Sequence, residues 1–249
     1  MRTTLLSLLP VALAAPATLF HRAEKPIYWA LVGDSTTAPD GGWGDAFLST
    51  TVAEPSSGKN FGHSGATTKS FRNGGDWGNV IKDVAAHKNE SRVYVTIQFG
   101  HNDQKPANNV SLDEYKTNLA NFASEASGAG ATPILLTPLT RRAFNSTTGK
   151  VIENLSVERA ATIEVAEAND VHWIDLNRAS TDYVNAIGQK AADMYNLASG
   201  DRTHVNVWGG VVFSRIVSDL LVEKYAGEFE GATVKNETLS ALIADGKPA

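Results

Sequence analysis

The chain has 249 residues, 42% of them hydrophobic and 20% charged, with a formal net charge of −5 and no cysteine. That balance suits one globular domain with a sizeable core. It excludes a disulfide framework, thiol catalysis and cysteine metal sites, and no basic run marks a nucleic-acid or anionic-membrane surface.

Residues 1–17 read as a signal peptide, with a boundary that extends to about residue 22. Arg2 supplies the positive start, residues 5–14 an apolar run, and Ala12-Leu13-Ala14 a small-residue cleavage pattern. Pro10 and Pro16 oppose a buried helix there. The run is too short to span a bilayer. Sequons at Asn89, Asn109, Asn145, Asn154 and Asn236 suit the same secretory route and mark candidate glycosylation sites.

A single domain is expected over residues 23–230. Residues 27–32 form an apolar run closed by Gly33, and a weaker run follows near 60–63. Residues 93–99 are a third strand, ending at Gly100. Residues 112–127 place Leu112, Tyr115, Leu119 and Phe122 at helical spacing, with Ser111 and Glu114 in capping-box form. Strands at 133–137 and 171–176 bracket a helix at 155–168, and a last helix covers 207–225. Short apolar runs alternating with helices predict an α/β fold, a parallel sheet covered on both faces. Right-handed crossovers make it a doubly wound three-layer α/β/α sandwich. Residues 231–249 read as a loosely packed appendage. No dimerisation signal stands out, and a monomer is expected.

Ligands of such sheets bind outside the carboxyl ends of the strands. Four clusters fall on that edge: Gly33-Asp34-Ser35-Thr36, Gly62-His63-Ser64-Gly65, Gly100-His101-Asn102-Asp103, and Asp201-Arg202-Thr203-His204 before the last helix. Ester cleavage needs a nucleophile, a base and donors for the tetrahedral oxyanion. Ser35 is the candidate nucleophile, His204 the base, and Asp201 the group that orients the imidazole. The Ser35 and Gly65 amides and the Asn102 side chain are the candidate oxyanion hole. Gly65 lets its amide approach a ligand without a Cβ, and Asn102 donates without adding a titrating charge. Each cluster alone has an ordinary reading as a turn or a cap. The four in chain order, each at an element end, point to a hydrolase.

These residues resemble the SGNH (GDSL-type) hydrolases, whose four blocks contribute Ser, Gly, Asn and His, matched by Ser35, Gly65, Asn102 and His204. The resemblance implies a five-stranded parallel sheet of flavodoxin-like layout. Gly33-Asp34-Ser35-Thr36, Gly42-Trp43-Gly44, Phe99-Gly100-His101-Asn102-Asp103 and Thr137-Pro138 with Arg141-Arg142 and Phe144 are similar to the rhamnogalacturonan acetylesterase branch. That branch implies removal of acetyl groups from the pectin backbone, on an acetylated polysaccharide substrate, without metal or cofactor. Some fungal members carry disulfides, and this chain cannot.

Arg141 and Arg142 follow the fourth strand and offer guanidinium forks to a galacturonate carboxylate; a solvated surface pair is the ordinary alternative. Lys69 and Arg72 stand in the same position after Gly65. Trp43, Trp77 and Trp208 are either sugar-stacking or packing residues, with packing the commoner use. His63 and His101 adjoin the blocks but have no carboxylate three residues away, and His87 and His172 look structural. No His-Glu-x-x-His spacing appears, so no metal site is expected. The competing functions are an esterase for acetylxylan or short lipid esters, and a secreted carbohydrate-binding protein without catalysis.

Overall fold

The computed structural model describes residues 25–249. The leader expected over residues 1–17 lies outside the described residues. Five strands form one parallel sheet: β1 (Ile27–Gly33), β2 (Ser57–Asn60), β3 (Arg92–Gln98), β4 (Thr132–Leu136) and β5 (His172–Ile174), in the spatial order β2-β1-β3-β4-β5. This is the doubly wound arrangement expected from the alternation. The strand order reverses beside β1, and that reversal opens a crevice at the carboxyl edge between β1 and β3.

β1 is buried along its whole length, and its two faces feed two cores. Ile27, Trp29 and Leu31 point into one layer with Trp43, Phe47, Leu176, Tyr183, Phe213 and Val217. Tyr28, Ala30 and Val32 point into the other with Phe71, Val80, Tyr115, Leu119, Phe122 and Val165. The period-two alternation of a strand thus separates the helices into layers. The first layer holds α1 (Gly44–Thr50), α6 (Leu176–Ala192) and α7 (Val207–Lys224). The second holds α2 (Thr68–Asn73), α3 (Asp76–His87), α4 (Leu112–Ala129) and α5 (Ser156–Ala168). Short α8 (Ala226–Phe229) and α9 (Glu237–Ala244) complete the first layer.

Local chemistry sets the helix ends that face the site. Thr67 and Ser70 form a reciprocal capping box at the start of α2. The Asn206 side chain accepts from the Gly209 amide at 2.8 Å and starts α7. Ser111 caps α4 through the Glu114 amide, and Gly130, left-handed at φ 100°, ends it.

Two expectations change. The second strand lies at Ser57–Asn60, earlier than residues 60–63, although Phe61 and His63 continue along β1 through amides to Leu31 and Gly33 carbonyls. It is an edge strand of alternating exposure, so it lacks the apolar run of the central strands. Residues 231–249 are not a loose appendage. Leu239 is buried in the first core, Thr233 bridges Val52, and the Arg215 guanidinium donates to the Val234 carbonyl at 2.9 Å. Among the described residues no helix is long and apolar enough to cross a membrane. All five sequon asparagines are exposed.

Candidate active site

β1 ends at Gly33, where any Cβ would lie 2.3 Å from the Thr37 hydroxyl and 2.6 Å from the Gln98 carbonyl. Only glycine lets the chain turn there, and the next residues curl so that the Thr37 and Ala38 amides bond the Asp34 carbonyl. Asp34 Oδ1 accepts from both the amide and the hydroxyl of Thr36, at 2.9 and 2.8 Å. Gln98 at the end of β3 donates to the Thr36 hydroxyl, and the Trp43 indole donates to Gln98 at 2.8 Å. This buried chain from Trp43 to Asp34 fixes the turn that carries Ser35. Trp43 is fully buried, so it packs and hydrogen-bonds and offers no face to a sugar.

Ser35 Oγ lies 2.8 Å from His204 Nε2, and His204 Nδ1 lies 2.9 Å from Asp201 Oδ2. An ionised carboxylate only accepts, so the Nδ1 proton points to Asp201 and Nε2 presents its lone pair to the serine hydroxyl. Asp201 Oδ1 also accepts from the Thr203 and His204 amides, both at 3.0 Å. Burial pushes the Asp201 carboxyl up, but these bonds from His204 and Thr203 hold it below the usual carboxylate range. Ser35 is only 7% exposed. His204 and Asp201 keep 32% and 29% of their side chains exposed, so the imidazole faces an open surface.

The second and third blocks meet beside this turn, where the His63 amide donates to the Gly33 carbonyl at 3.0 Å. Asn102 is buried, and its Nδ2 donates to the Ala66 carbonyl at 3.0 Å. Gly65, immediately before, has φ 81°, and a Cβ there would meet nothing within 4 Å. Its glycine is required by left-handed backbone and not by lack of space within the protein. Asp103 accepts from the Thr68 amide and hydroxyl at 2.9 and 2.6 Å and so ties the Asn102 loop to the start of α2. Burial pushes the Asp103 carboxyl up to about 6 against these bonds, helped by the nearby Asp34 charge. His101 sits 3.5 Å from Asp34 Oδ2, both inside the protein. Burial alone would raise the Asp34 carboxyl, yet His101 and the Thr36 donors hold it low.

Arg142, expected at the substrate, is 0% exposed. Its guanidinium donates to Asn196 Oδ1 at 2.8 Å and to the His204 carbonyl at 2.5 Å, and burial pushes its pKa down to about 10. It supports the His204 loop from within and cannot meet a substrate carboxylate. Arg141 is half-buried and bonded to the His101 carbonyl and Asn154 Oδ1. Lys69 pairs with Glu114, and Arg72 with Glu125. Trp77 is buried, its indole bonded to Glu125; Trp208 is half exposed. His63 pairs with Asp76 at 2.7 Å across α2, a partner thirteen residues away that no short spacing reveals. His87 stacks on Tyr28, and His172 bonds Glu228. Among the described residues no group of three or more His, Asp or Glu side chains could hold a metal ion.

The sequence placed Asp103 in the third block without a role, and gave no role to Gln98, which supports the Ser35 turn, or to Lys105, whose Nζ donates to Asn102 Oδ1. Gln98 precedes the third block and Asp103 ends it, and a polar residue inside or just after an apolar strand is the signal that marks such positions.

A doubly wound sheet whose carboxyl edge carries a connected Asp–His–Ser chain has the architecture of a serine hydrolase. The model of the GDSL-like lipase/acylhydrolase family matches residues 31–209. The rhamnogalacturonan acetylesterase RhgT of Bacillus subtilis is 30% identical over 219 residues, 80% of this chain and 91% of its own length. The probable rhamnogalacturonan acetylesterase YesY of the same organism is 28% identical over 193 residues, 75% of this chain and 84% of its own. Among solved structures, protein YXIM of B. subtilis superposes with a TM-score of 0.67 at 25% identity over 81% of this chain, which spans 57% of that protein. The acetylxylan esterase Axe2 of Geobacillus stearothermophilus gives 0.56 at 19% identity over 81% of this chain and 94% of its own. The chain belongs to the GDSL-like lipase/acylhydrolase family, in its rhamnogalacturonan acetylesterase-like branch, and is a serine carboxylic ester hydrolase.

Proposed function

We propose that this is a secreted carbohydrate esterase that removes O-acetyl groups from pectic rhamnogalacturonan. The observation that carries the reading is the hydrogen-bonded chain Asp201–His204–Ser35, at 2.9 and 2.8 Å, in a protein whose matched relatives are named for that activity. Ser35 Oγ attacks the acetyl carbonyl while His204 Nε2 takes its proton. The Ser35 and Gly65 amides and Asn102 Nδ2 receive the oxyanion. Collapse breaks the bond to the sugar oxygen, which takes the proton from His204 and departs as the free hydroxyl, leaving an acetyl-serine. A water activated by His204 then releases acetate and restores Ser35. Asp201 holds the tautomer throughout and stabilises the imidazolium as it forms.

An open base suits a polymer better than an enclosed pocket would. The leader pattern and the five exposed sequons support export and glycosylation. The test is acetate release from acetylated rhamnogalacturonan and acetylated xylan by wild type and Ser35→Ala. Preferred release from rhamnogalacturonan, lost by roughly 10⁴-fold in Ser35→Ala, is expected. Faster release from xylan overturns the substrate assignment, and an active Ser35→Ala overturns the nucleophile.

A further inference from the structure

Asn102 can stabilise an oxyanion only if its NH₂, and not its oxygen, faces the reacting carbonyl. Two neighbours decide this. The Ala66 carbonyl can only accept, and it takes one Nδ2 hydrogen at 3.0 Å. At the other end of the amide, Lys105 Nζ lies 2.6 Å from Asn102 Oδ1, and an ammonium can only donate. Turning the amide over would set oxygen against oxygen and nitrogen against nitrogen. One Nδ2 hydrogen is left without a partner in the protein.

Lys105 is held for this contact by its own backbone. Its amide donates to the Asn102 carbonyl at 3.1 Å, and the Asn108 side chain donates to the same oxygen at 2.8 Å. The turn 102–105 therefore closes on Asn102 from both backbone and side chain. A charge-assisted bond to an amide oxygen draws electron density from the nitrogen, so the free N–H becomes a stronger donor. The gain is largest when the acceptor carries full negative charge, which occurs only at the tetrahedral stage. Lys105 itself is exposed, and the sequence alone gives it no role.

From this geometry we infer that Lys105 is a positioning residue for catalysis: it orients and polarises the Asn102 amide that receives the oxyanion. The inference rests on the hydrolase reading above. The experiment uses the full chain with 4-nitrophenyl acetate, a neutral substrate that offers no carboxylate to a lysine. Lys105→Met, Lys105→Arg, Asn102→Ala and the double variant Asn102→Ala/Lys105→Met are assayed beside Ser35→Ala, with thermal melts to confirm folding. Lys105→Met is expected to lower kcat by roughly 5–20-fold with KM within about twofold, and Lys105→Arg to recover most of the loss. In the Asn102→Ala background the Met substitution should cost less than about twofold, because its target amide is gone. Equal losses in both backgrounds, an effect on KM alone, or an unchanged kcat in Lys105→Met would each overturn the inference while a dead Ser35→Ala leaves the hydrolase reading standing. An active Ser35→Ala would overturn both together.

Discussion

Replacing Arg142 with Met separates two roles that an arginine near an active site can have. In the structure Arg142 lies beneath the His204 loop, with charge-assisted bonds to the His204 carbonyl and to Asn196 Oδ1. Each such bond contributes about 1.5–3 kcal/mol, so two give about 3–6 kcal/mol. Against this stands the burial of the charge. The fall of its pKa from 12.5 to about 10 corresponds to about 3 kcal/mol. The balance is a destabilisation of up to roughly 3 kcal/mol, or up to about 10 °C in Tm for a domain of this size. His204 keeps its backbone partner, since Leu197 still donates to its carbonyl, but the loop loses its internal strut. If His204 is the base as proposed, small displacements of it are costly, and kcat should fall by about 10–100-fold. The assay measures kcat and KM on 4-nitrophenyl acetate and on acetylated rhamnogalacturonan, beside a thermal melt. The expected result is one common loss of kcat on both substrates together with the lower Tm. A raised KM confined to the charged polymer, with an unchanged melt, would refute the reasoning and return Arg142 to the substrate.

Asp201→Asn should keep the fold and lower kcat by about 10³–10⁴-fold, because an amide can no longer be relied on to hold the His204 tautomer; a loss below tenfold on the neutral ester would remove Asp201 from the proposed triad. Asp103 shapes stability through pH. Burial pushes its carboxyl up to about 6, from about 3.8 for a free aspartate, so the folded state holds the proton more tightly. That contribution is complete below pH about 4 and is lost as pH rises through about 6, a change of about 3 kcal/mol. Urea unfolding of Asp103→Asn against wild type should therefore show the difference moving in favour of Asn by about that amount between pH 4 and 7, and a pH-independent difference would contradict it. Leu239→Ala should cost about 2–5 kcal/mol in the same assay, as for any buried leucine, and a loss under 0.5 kcal/mol would mean that α9 is not part of the core.

The sheet was legible because its central strands are buried on both faces and read as unbroken apolar runs. The edge strand β2 carries Ser57, Gly58, Lys59 and Asn60, and no such run exists to be found. The residues proposed to react stand out in the sequence for a related reason: in this topology each follows a strand or precedes a helix, where local sequence marks the element end. α6 could have been found from Leu176, Tyr183, Val184 and Ile187 behind the Asp175 cap, a spacing the sequence displays. Arg141 and Arg142 could not have been told apart. They are neighbours, and one turns inward because Asn196 and the His204 carbonyl wait for it, 54 and 62 residues later. A glycine such as Gly65 is legible as special, but its left-handed φ is a property of the turn and emerges only with coordinates.

The hairpin between β4 and α5 has a further consequence. Phe144 bridges Val151, the Asn145 amide bonds the Lys150 carbonyl, and residues 145–150 are all exposed. Everything that attacks and receives charge in the proposed reaction lies before this hairpin: Ser35, Gly65 and Asn102, with Lys105 that orients it. Everything that moves the proton lies after it: Asp201 and His204. A cut at the hairpin therefore divides the enzyme into a piece with a nucleophile and no base, and a piece with a base and no nucleophile. Neither fragment can turn over an ester through this triad alone. Ester cleavage by the mixed fragments would be a direct signal of their reassociation, which makes this chain a natural starting point for a split reporter.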